Sequence, residues 1–155
     1  MSTDAETVVR AAYRAAEGSV LDVQGFNDLF AEDGVFNNVV AGESYRGEHL
    51  GDLVAFMGAL APDVHRELHR FHVMGNIVTV ELTIQGTFTG PFETPAGTIR
   101  PTGAKLNIPT ADFWYVENGK IKEFNCYVGL SIMLAQLGVQ PDFASAVTAS
   151  TAVPS

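Results

Sequence analysis

The fold is decided by PTADFWYVENGKIKEFNCYVGLSIMLAQL, residues 109–137. This stretch begins with a short strand rich in aromatic residues, and Asn118 and Gly119 then supply a hairpin turn. A return strand follows over 121–128, and a helix with apolar residues at three- and four-residue spacing ends at Gly138. The pattern predicts an antiparallel hairpin that is followed directly by a helix.

One carboxylate is unexpected within this hairpin. Asp112 lies among Ala111, Phe113, Trp114 and Tyr115. Such a carboxylate is either solvated at a strand edge or held in an apolar pocket, where burial raises its pKa. In a pocket, Asp112 can donate or accept a proton near neutral pH. At a strand edge, it is a structural residue that accepts hydrogen bonds from backbone amides.

Length and composition indicate one globular domain. The chain has 155 residues, of which 46% are hydrophobic, and this is enough to bury a sizeable core. No apolar run approaches the roughly 18 residues of a membrane span, and the acidic N-terminal residues do not resemble a signal peptide. The single cysteine, Cys126, excludes an internal disulfide and fits a reducing compartment. We therefore expect a cytoplasmic protein.

The net charge restricts the partners. It is −9 at pH 7, with no basic stripe along the chain. Nucleic acids and anionic membranes bind clustered Lys and Arg, so neither is an expected partner. A neutral or cationic small molecule is the easier guest for such a chain.

The remaining sequence predicts helices before a run of strands. Apolar residues recur at helical spacing in three segments and alternate with polar residues in others. Helices are predicted over 4–17, 22–31 and 48–60, and strands over 35–40, 64–74, 77–88, 105–116 and 121–128.

This order predicts an α+β fold, in which a strongly curved, antiparallel-rich sheet wraps around three N-terminal helices. Such a cone-shaped α+β barrel has an internal pocket, because side chains alone do not fill its wide end. Residues 42–47 and 89–102 are predicted to be loops, the second a flexible lip over the pocket mouth. The domain is predicted to span 1–138. Residues 139–155 are expected to form a loose or partner-contacting tail.

Four segments carry a resemblance to a known family: FNDLFAEDGVFNN (26–38), GTFTGPFETPAGTIRPTGAKL (86–106), ADFWYVENGKIKEF (111–124) and LAQLG (134–138). They resemble the SnoaL-like polyketide cyclase group of the nuclear-transport-factor-2-like superfamily. That superfamily contains isomerases, cyclases, epoxide hydrolases, dehydratases and binding modules, so the fold does not fix the function. The resemblance implies a homodimer, formed through the outer face of the sheet, and chemistry without a cofactor or metal.

Three kinds of relative suggest roles for individual residues. The ketosteroid isomerase pattern places its protonated acid at Asp112 and its tyrosine at Tyr13, but its carboxylate base falls on Asn38. In the SnoaL-like cyclases, the residue at Asp112 is a general acid/base in an intramolecular aldol closure. These relatives commonly have Gly-Thr-His where this chain has Gly86-Thr87-Phe88, so a phenylalanine replaces the histidine. The substitution implies a more apolar pocket.

The limonene-epoxide hydrolase pattern departs further. In its water-activating Asp-Arg-Asp set, the Arg and the first Asp fall on Glu81 and Thr83, and the second Asp falls on Cys126. Its tyrosine falls on Phe36. The hydrolytic machinery of that enzyme is therefore not reproduced by these residues.

Several candidates have two interpretations. Glu81 is either a second acid/base opposite Asp112 or a solvated residue on an outer face. Tyr13 donates its hydroxyl into the pocket or is a core aromatic, and Asn38 orients a substrate oxygen or caps a strand end. His65, His69 and His72 lack a known zinc-ligand spacing, so no metal site is predicted. The predicted substrate-binding residues are Phe36, Phe56, Thr83, Trp114, Phe124 and Cys126.

Together these observations predict an acid/base enzyme that needs no cofactor and acts on a neutral, largely apolar small molecule. The expected reaction is cyclisation or isomerisation of a polyketide- or terpenoid-like substrate, with Asp112 as the general acid/base. The alternatives are epoxide-hydrolase-like water addition, and a binding protein that has the same pocket but no chemistry. A structural dimer partner is a third possibility.

Overall fold

The computed structural model describes residues 4–139 and 142–152. The helices are α1 (Ala5–Ala16), α2 (Val23–Asp28), α3 (Asp52–Leu60), α4 (Leu130–Gln136) and α5 (Phe143–Thr151). The strands are β1 (Phe30–Asn38), β2 (Glu43–Arg46), β3 (His65–Met74), β4 (Ile77–Thr87), β5 (Phe92–Thr94), β6 (Gly97–Ile99), β7 (Lys105–Glu117) and β8 (Lys120–Val128).

Within the described residues, a curved six-stranded sheet has the order β2-β1-β8-β7-β4-β3. Neighbouring strands are antiparallel except for β1 and β8, which run parallel. Strands β2 and β3 lie at the two edges, so the sheet is not closed. The predicted α+β class with a curved, antiparallel-rich sheet is confirmed, but the cone is open rather than a complete barrel.

Helix α1 packs its apolar stripe against β3, β4 and β8. The buried residues of the stripe are Ala5, Val8, Val9, Ala12, Tyr13, Ala15 and Ala16. Asp4 caps the helix by accepting a hydrogen bond from the backbone N–H of Glu6. After the helix, a Cβ at Gly18 would lie 2.2 Å from the Pro62 carbonyl oxygen. Glycine therefore allows the end of α1 to pass close to the segment that follows α3.

The predicted boundary between the second helix and the first strand is wrong. The helix ends at Asp28 rather than Ala31, and the strand begins at Phe30 rather than Val35. Residues 31–34, where a turn is expected, instead form a bulge that lies opposite a single residue of β8. Pairing with β8 on both sides of the bulge keeps these residues in the strand.

Two segments that are predicted to be loops contain short strands. Glu43–Arg46 pairs with β1 at the sheet edge, and 89–102 contains the β5-β6 hairpin. The backbone N–H of Gly90 donates to the carbonyl oxygen of Leu60 at the end of α3, at 2.9 Å. A Cβ at Gly90 would lie 1.8 Å from the Ala59 carbonyl oxygen. This close approach fixes the start of the segment against α3.

The C-terminal segment contains a helix that its composition does not predict. The Asp142 carboxylate caps α5 by accepting from the backbone N–H of Ser145 at 3.1 Å. The side chains of α5 are exposed, including Phe143 at 84% and Val147 at 62%. Contact of this segment with a partner stays a prediction.

An apolar core lies between the helices and the inner face of the sheet. It includes the fully buried Val9 of α1 and Val78, Ile108, Trp114 and Ile121 of the sheet. A cavity remains among α1, α3, α4 and the strands that face them. In the described ranges, no helix has both the length and the apolar character that a membrane crossing requires.

Candidate functional site

A row of polar side chains crosses three strands at the wall of this cavity. Asn38 of β1 is paired with Cys126 of β8, and Cys126 is paired in turn with Asp112 of β7. All three line the cavity, which has a volume of about 390 Å³, a size typical of small-molecule sites. Because adjacent strands lie about 4.8 Å apart, Asn38 and Asp112 are separated by about 10 Å.

An aromatic row runs beside the polar row, at a distance of two residues along each of the three strands. Phe36, Phe124 and Trp114 occupy it in register. The rings of Trp114 and Phe124 stack with centroids 3.6 Å apart, and those of Phe36 and Phe124 are 4.4 Å apart. On another wall, Phe56 contacts Phe92 of the β5-β6 hairpin, with ring centroids 5.8 Å apart. These rings give the cavity flat apolar walls, which suit a planar or polycyclic guest.

A chain of two buried hydrogen bonds holds Asp112. The Trp114 indole Nε1 donates to the Tyr13 hydroxyl oxygen at 3.1 Å, and that hydroxyl donates to Asp112 Oδ2 at 2.7 Å. An indole N–H only donates, which fixes the direction of the first bond, and an ionised carboxylate only accepts, which fixes the direction of the second. The only hydroxyl proton of Tyr13 is therefore engaged by Asp112. In this arrangement Tyr13 positions the carboxyl group rather than holding a substrate oxygen.

Burial makes Asp112 a candidate for proton transfer near neutral pH. Desolvation raises the pKa of its carboxyl group to about 6, while the Tyr13 hydrogen bond, the Cys126 thiol and the Arg66 charge act in the opposite direction. Its Oδ1 atom is buried and has no hydrogen-bond partner of normal geometry among the described residues. Since Oδ2 accepts from Tyr13, the carboxyl proton resides on Oδ1 when Asp112 is protonated.

The two neighbours of this carboxyl group stay protonated. Burial raises the pKa of the Tyr13 hydroxyl well above its ordinary value, and the charge of Asp112 adds to the effect. Burial likewise raises the pKa of the Cys126 thiol, again with a contribution from Asp112. A neutral thiol is a poor nucleophile, so Cys126 is a small wall residue of the cavity.

Arg66 is a cavity residue that the sequence analysis does not identify. It lies on β3 opposite Ile84, which faces the cavity, and its guanidinium lines the same space as Asp112. Its Nη1 donates to the Ala16 carbonyl oxygen at 2.9 Å. Burial lowers the pKa of the guanidinium below its ordinary value, and the Asp112 charge opposes that shift.

A second polar cluster lies at the Asn38 end of the row. The Asn38 Nδ2 atom and the Tyr45 hydroxyl both donate to Glu43 Oε1, at 3.1 and 3.0 Å. All three residues line the cavity. Burial raises the pKa of Tyr45 to about 12, and the hydrogen bond to Glu43 adds to the rise. This cluster offers amide, hydroxyl and carboxylate groups to a polar part of a guest.

Glu81 and Thr83 do not belong to this site. They lie on the face of β4 opposite the buried Val80 and Leu82. The Glu81 carboxylate is exposed and lies 3.7 Å from the Arg70 Nε atom. The prediction that they share one face is correct, but that face is outside the cavity. The prediction that places Glu81 across from Asp112, with Thr83 at the substrate, is therefore wrong.

The histidines of β3 also lie away from the cavity wall. His65 contacts the carboxylates of Glu17 and Glu67 at 2.9 and 2.8 Å, and His69 Nε2 lies 2.5 Å from the Thr83 hydroxyl oxygen. Across the part of the chain that the structure describes, no three residues among His, Cys, Asp and Glu form a group suited to a metal ion.

Three cavity residues, Arg66, Glu43 and Tyr45, were not predicted, and only for Arg66 does the sequence contain a feature that indicates its position. Arg66 shares strand parity with the apolar residues Val64 and Leu68, so the alternation together with these neighbours favours an inward face. Glu43 and Tyr45 lie in a segment that is predicted to be a loop, where no alternation of apolar and polar residues indicates which way a side chain faces. Only the pairing of β2 with β1 brings them to the cavity.

Comparison with known families matches most of the chain to a single family. The profile of the SnoaL-like domain family matches residues 9–124, a range that contains Tyr13, Asn38, Arg66 and Asp112. Among curated proteins, none matches this chain.

Solved structures share the fold. One is a protein from Catenulispora acidiphila with a ketosteroid isomerase-like fold, in complex with trimethylamine, which is 25% identical to this chain with a TM-score of 0.68. The match covers 86% of this chain and 93% of the other. IdmH from Streptomyces antibioticus, a proposed polyketide cyclase, is 24% identical, with a TM-score of 0.67 and coverage of 88% and 100%. An LEH-like epoxide hydrolase from M. tuberculosis is 20% identical, with a TM-score of 0.63 and coverage of 88% and 90%.

Proposed function

The chain belongs to the SnoaL-like domain family, and we propose that it is an acid/base enzyme that cyclises or isomerises a largely apolar, polyketide- or terpenoid-like small molecule without a cofactor. The observation that carries this proposal is the environment of Asp112. Its carboxyl group is buried beside an aromatic-walled cavity, is oriented by Tyr13 and has a pKa raised to about 6. Buried carboxyl groups with such a pKa are typical of general acid/base residues.

The proposed chemistry is proton transfer at a carbon next to a carbonyl group. Ionised Asp112 removes the proton from that carbon, and the same carboxyl group returns it elsewhere on the guest, so no net proton is consumed. Tyr13 holds Oδ2 in place and so orients the carboxyl group at the cavity wall. The Asn38 amide lies about 10 Å across the polar row, where it can orient a distant oxygen of a guest that spans the cavity.

Water addition to an epoxide receives less support from this site. The positions of the water-activating set in the resemblance are Glu81, Thr83 and Cys126. Glu81 and Thr83 face away from the cavity, and the Cys126 thiol is held neutral by burial. The fold itself does not separate the two functions, because IdmH and the LEH-like epoxide hydrolase both share it.

The test is hydrogen–deuterium exchange at the α-carbon of an enolisable ketone such as 2-tetralone in D₂O, followed by NMR. The protein should accelerate exchange over buffer, and Asp112→Asn should lower the accelerated rate by about 100-fold or more. Because the base form is the active one, the rate should rise with pH through about 6 and then level off. The exposed substitution Glu117→Gln, on the same strand, is the matched control.

Two outcomes would remove the acid/base assignment. One is exchange no faster than buffer across a panel of bicyclic ketones, and the other is an Asp112→Asn rate within about tenfold of the unsubstituted protein. Tight binding of a guest that is recovered unchanged would then favour the alternative of a binding protein with the same cavity.

A further inference from the structure

The guanidinium of Arg66 has unused hydrogen-bonding capacity at the cavity wall. Of the five N–H donors of an arginine side chain, a single one, on Nη1, has a hydrogen-bond partner among the described residues, the Ala16 carbonyl oxygen. Arg66 is half-buried and faces inward opposite Ile84. A cation in such a place is costly unless an anion or several acceptors compensate it.

Among residues 4–139 and 142–152, no carboxylate forms a direct ion pair with this guanidinium. Asp112 and Glu17 act on it through their charges, but neither carboxylate forms an ion pair with it among the described residues: the hydrogen bond of Glu17 goes to the Arg66 backbone N–H, at 3.2 Å. Asp112 Oδ1 is likewise buried without a partner of normal geometry. Two incompletely satisfied groups of opposite charge therefore line one cavity.

We propose that Arg66 is a substrate-recognition residue and that the natural guest carries a carboxylate group on an apolar, ring-containing body. A carboxylate spreads its charge over two oxygens that match the planar fork of a guanidinium. The aromatic row of Phe36, Phe124 and Trp114 would hold the apolar body. This inference names the substrate class of the site proposed above and rests on that proposal only for the claim that the guest is also transformed.

The overall charge of −9 does not prevent such binding. Interactions between exposed charges are screened over about 10 Å at 0.1 M salt, so the local guanidinium decides whether a carboxylate binds inside the cavity. The guest expected from composition alone is neutral or cationic. A local positive group in an otherwise acidic chain changes that expectation to a monoanion.

Binding of a carboxylate should also shift the proton equilibrium of Asp112. The Arg66 charge favours ionised Asp112, and a bound anion cancels that effect and adds a negative charge nearby. Asp112 therefore has a higher pKa in the complex than in the free protein, and it takes up a proton on binding at pH values between the two. The ionised form that removes a proton from such a guest is reached at a correspondingly higher pH. The other titratable groups near Asp112, Tyr13 and Cys126, are both held protonated. Glu43 lies at the far end of the polar row, beside Asn38 and Tyr45.

The test is isothermal titration calorimetry with 2-naphthoate and its neutral analogue 2-naphthamide. Naphthoate should bind at least tenfold more tightly than naphthamide, because only the carboxylate forms a charged pair with Arg66. Arg66→Met should remove that preference, and Arg66→Lys should restore part of it. Arg14→Met, at an exposed arginine of α1, should leave it unchanged.

A second measurement separates recognition from a purely structural role of Arg66. Titrations at pH 7.5 in buffers with different ionisation enthalpies should report uptake of up to about one proton per bound naphthoate. Asp112→Asn should abolish the proton uptake and keep the naphthoate binding. The affinity for naphthoate should fall as pH rises above 6 in the unsubstituted protein but not in this variant.

Equal affinity for naphthoate and naphthamide in the unsubstituted protein would overturn the proposal, and this result does not depend on whether an Arg66 variant folds. An unchanged preference for naphthoate in a folded Arg66→Met variant would also overturn it, since the anion would then lie away from Arg66. Failure of the acid/base function has a different signature. In that case the carboxylate preference is present, but ketone exchange is no faster than in buffer.

Discussion

At the scale of single residues, Asp112 is both the candidate catalytic group and a source of instability. The residue is 3% exposed, and among the described residues only its Oδ2 atom accepts a hydrogen bond of normal geometry. The rise in its pKa from 3.8 to about 6 corresponds to about 3 kcal/mol of lost stability when it is ionised. Active-site groups commonly lower the stability of the folded state in this way.

This cost predicts a pH-dependent effect of Asp112→Asn on stability. The folded-state pKa is raised, so the contribution of Asp112 is fully retained below about pH 4 and is lost as pH rises through 6. Urea unfolding should therefore show the variant to be more stable than the unsubstituted protein at pH 8, by up to about 3 kcal/mol. The difference should shrink towards pH 4.5. A difference that is the same at both pH values would mean that Asp112 is solvated rather than buried.

The hydrogen bond from Tyr13 gives a second prediction at this scale. It favours the ionised form of Asp112, so Tyr13→Phe should move the pKa of Asp112 further above 6. NMR titration of the Asp112 carboxyl carbon measures this directly, and Tyr45→Phe, at the other end of the cavity, is the matched control. A pKa of Asp112 that is unchanged or lower in Tyr13→Phe would contradict the orienting role of the hydroxyl.

The sequence predicted individual residues where strand parity was visible. Asp112, Trp114, Phe124 and Cys126 alternate along two clear strands, and all of them line the cavity. Parity alone does not tell which face of a sheet is covered by helices. For that reason parity leaves both faces open for Glu81, and the structure shows that its side chain faces outward.

At the scale of elements, the junction between α1 and β3 connects the two sides of the site. Helix α1 carries Tyr13 and strand β3 carries Arg66. The Glu17 carboxylate, just after α1, accepts from the Arg66 backbone N–H and contacts His65. On its other side His65 contacts Glu67. The position of α1 over the sheet thus depends partly on a histidine between two carboxylates.

This junction predicts a pH-dependent contribution from His65. Its hydrogen bonds, first with Glu67 and then with Glu17, raise its pKa. The stabilisation is therefore fully present below about 6.5, the ordinary pKa of histidine, and is lost as pH rises through the folded-state value. His65→Gln should destabilise the protein more at pH 6 than at pH 8.5, by less than about 1 kcal/mol because the pair is exposed.

Thermal or urea unfolding at the two pH values measures this contribution. His72→Gln is the matched control, because His72 lies on the same strand and is exposed. An effect of His65→Gln that is larger at pH 8.5 would contradict the ion-pair interpretation. It would indicate that the neutral ring packs against the end of α1.

Elements with strong local signals were predicted well, and elements that depend on distant pairing were not. The β7-β8 hairpin follows from its Asn-Gly turn and its alternation. By contrast, β2 and the β5-β6 hairpin are strands of three or four residues within segments rich in turn-forming residues. These segments are strands because they pair with a neighbouring strand, and local sequence patterns do not predict that pairing.

At the scale of the whole molecule, helices cover the inner face of the six-stranded sheet, and within the described residues its outer face is left open. The outer face carries charged side chains at β3 and β4, and aromatic side chains at β7 and β8. There, the Phe113 and Tyr127 rings contact each other with centroids 5.6 Å apart, and Tyr127 is 43% exposed. We propose that this face forms the homodimer that the family resemblance implies, with the aromatic pair near the centre of the interface.

Sedimentation velocity over a range of concentrations tests this assembly. We expect a dimer at micromolar concentration, and Tyr127→Glu should shift it to monomer, because a carboxylate buried in an interface lacks a partner. Phe143→Glu on the exposed helix α5 is the informative comparison. Dissociation by Phe143→Glu but not by Tyr127→Glu would assign the interface to the C-terminal segment, as an arm on a partner. A monomer at all concentrations would exclude both assemblies, and the cavity of a single chain would then have to bind its guest unaided.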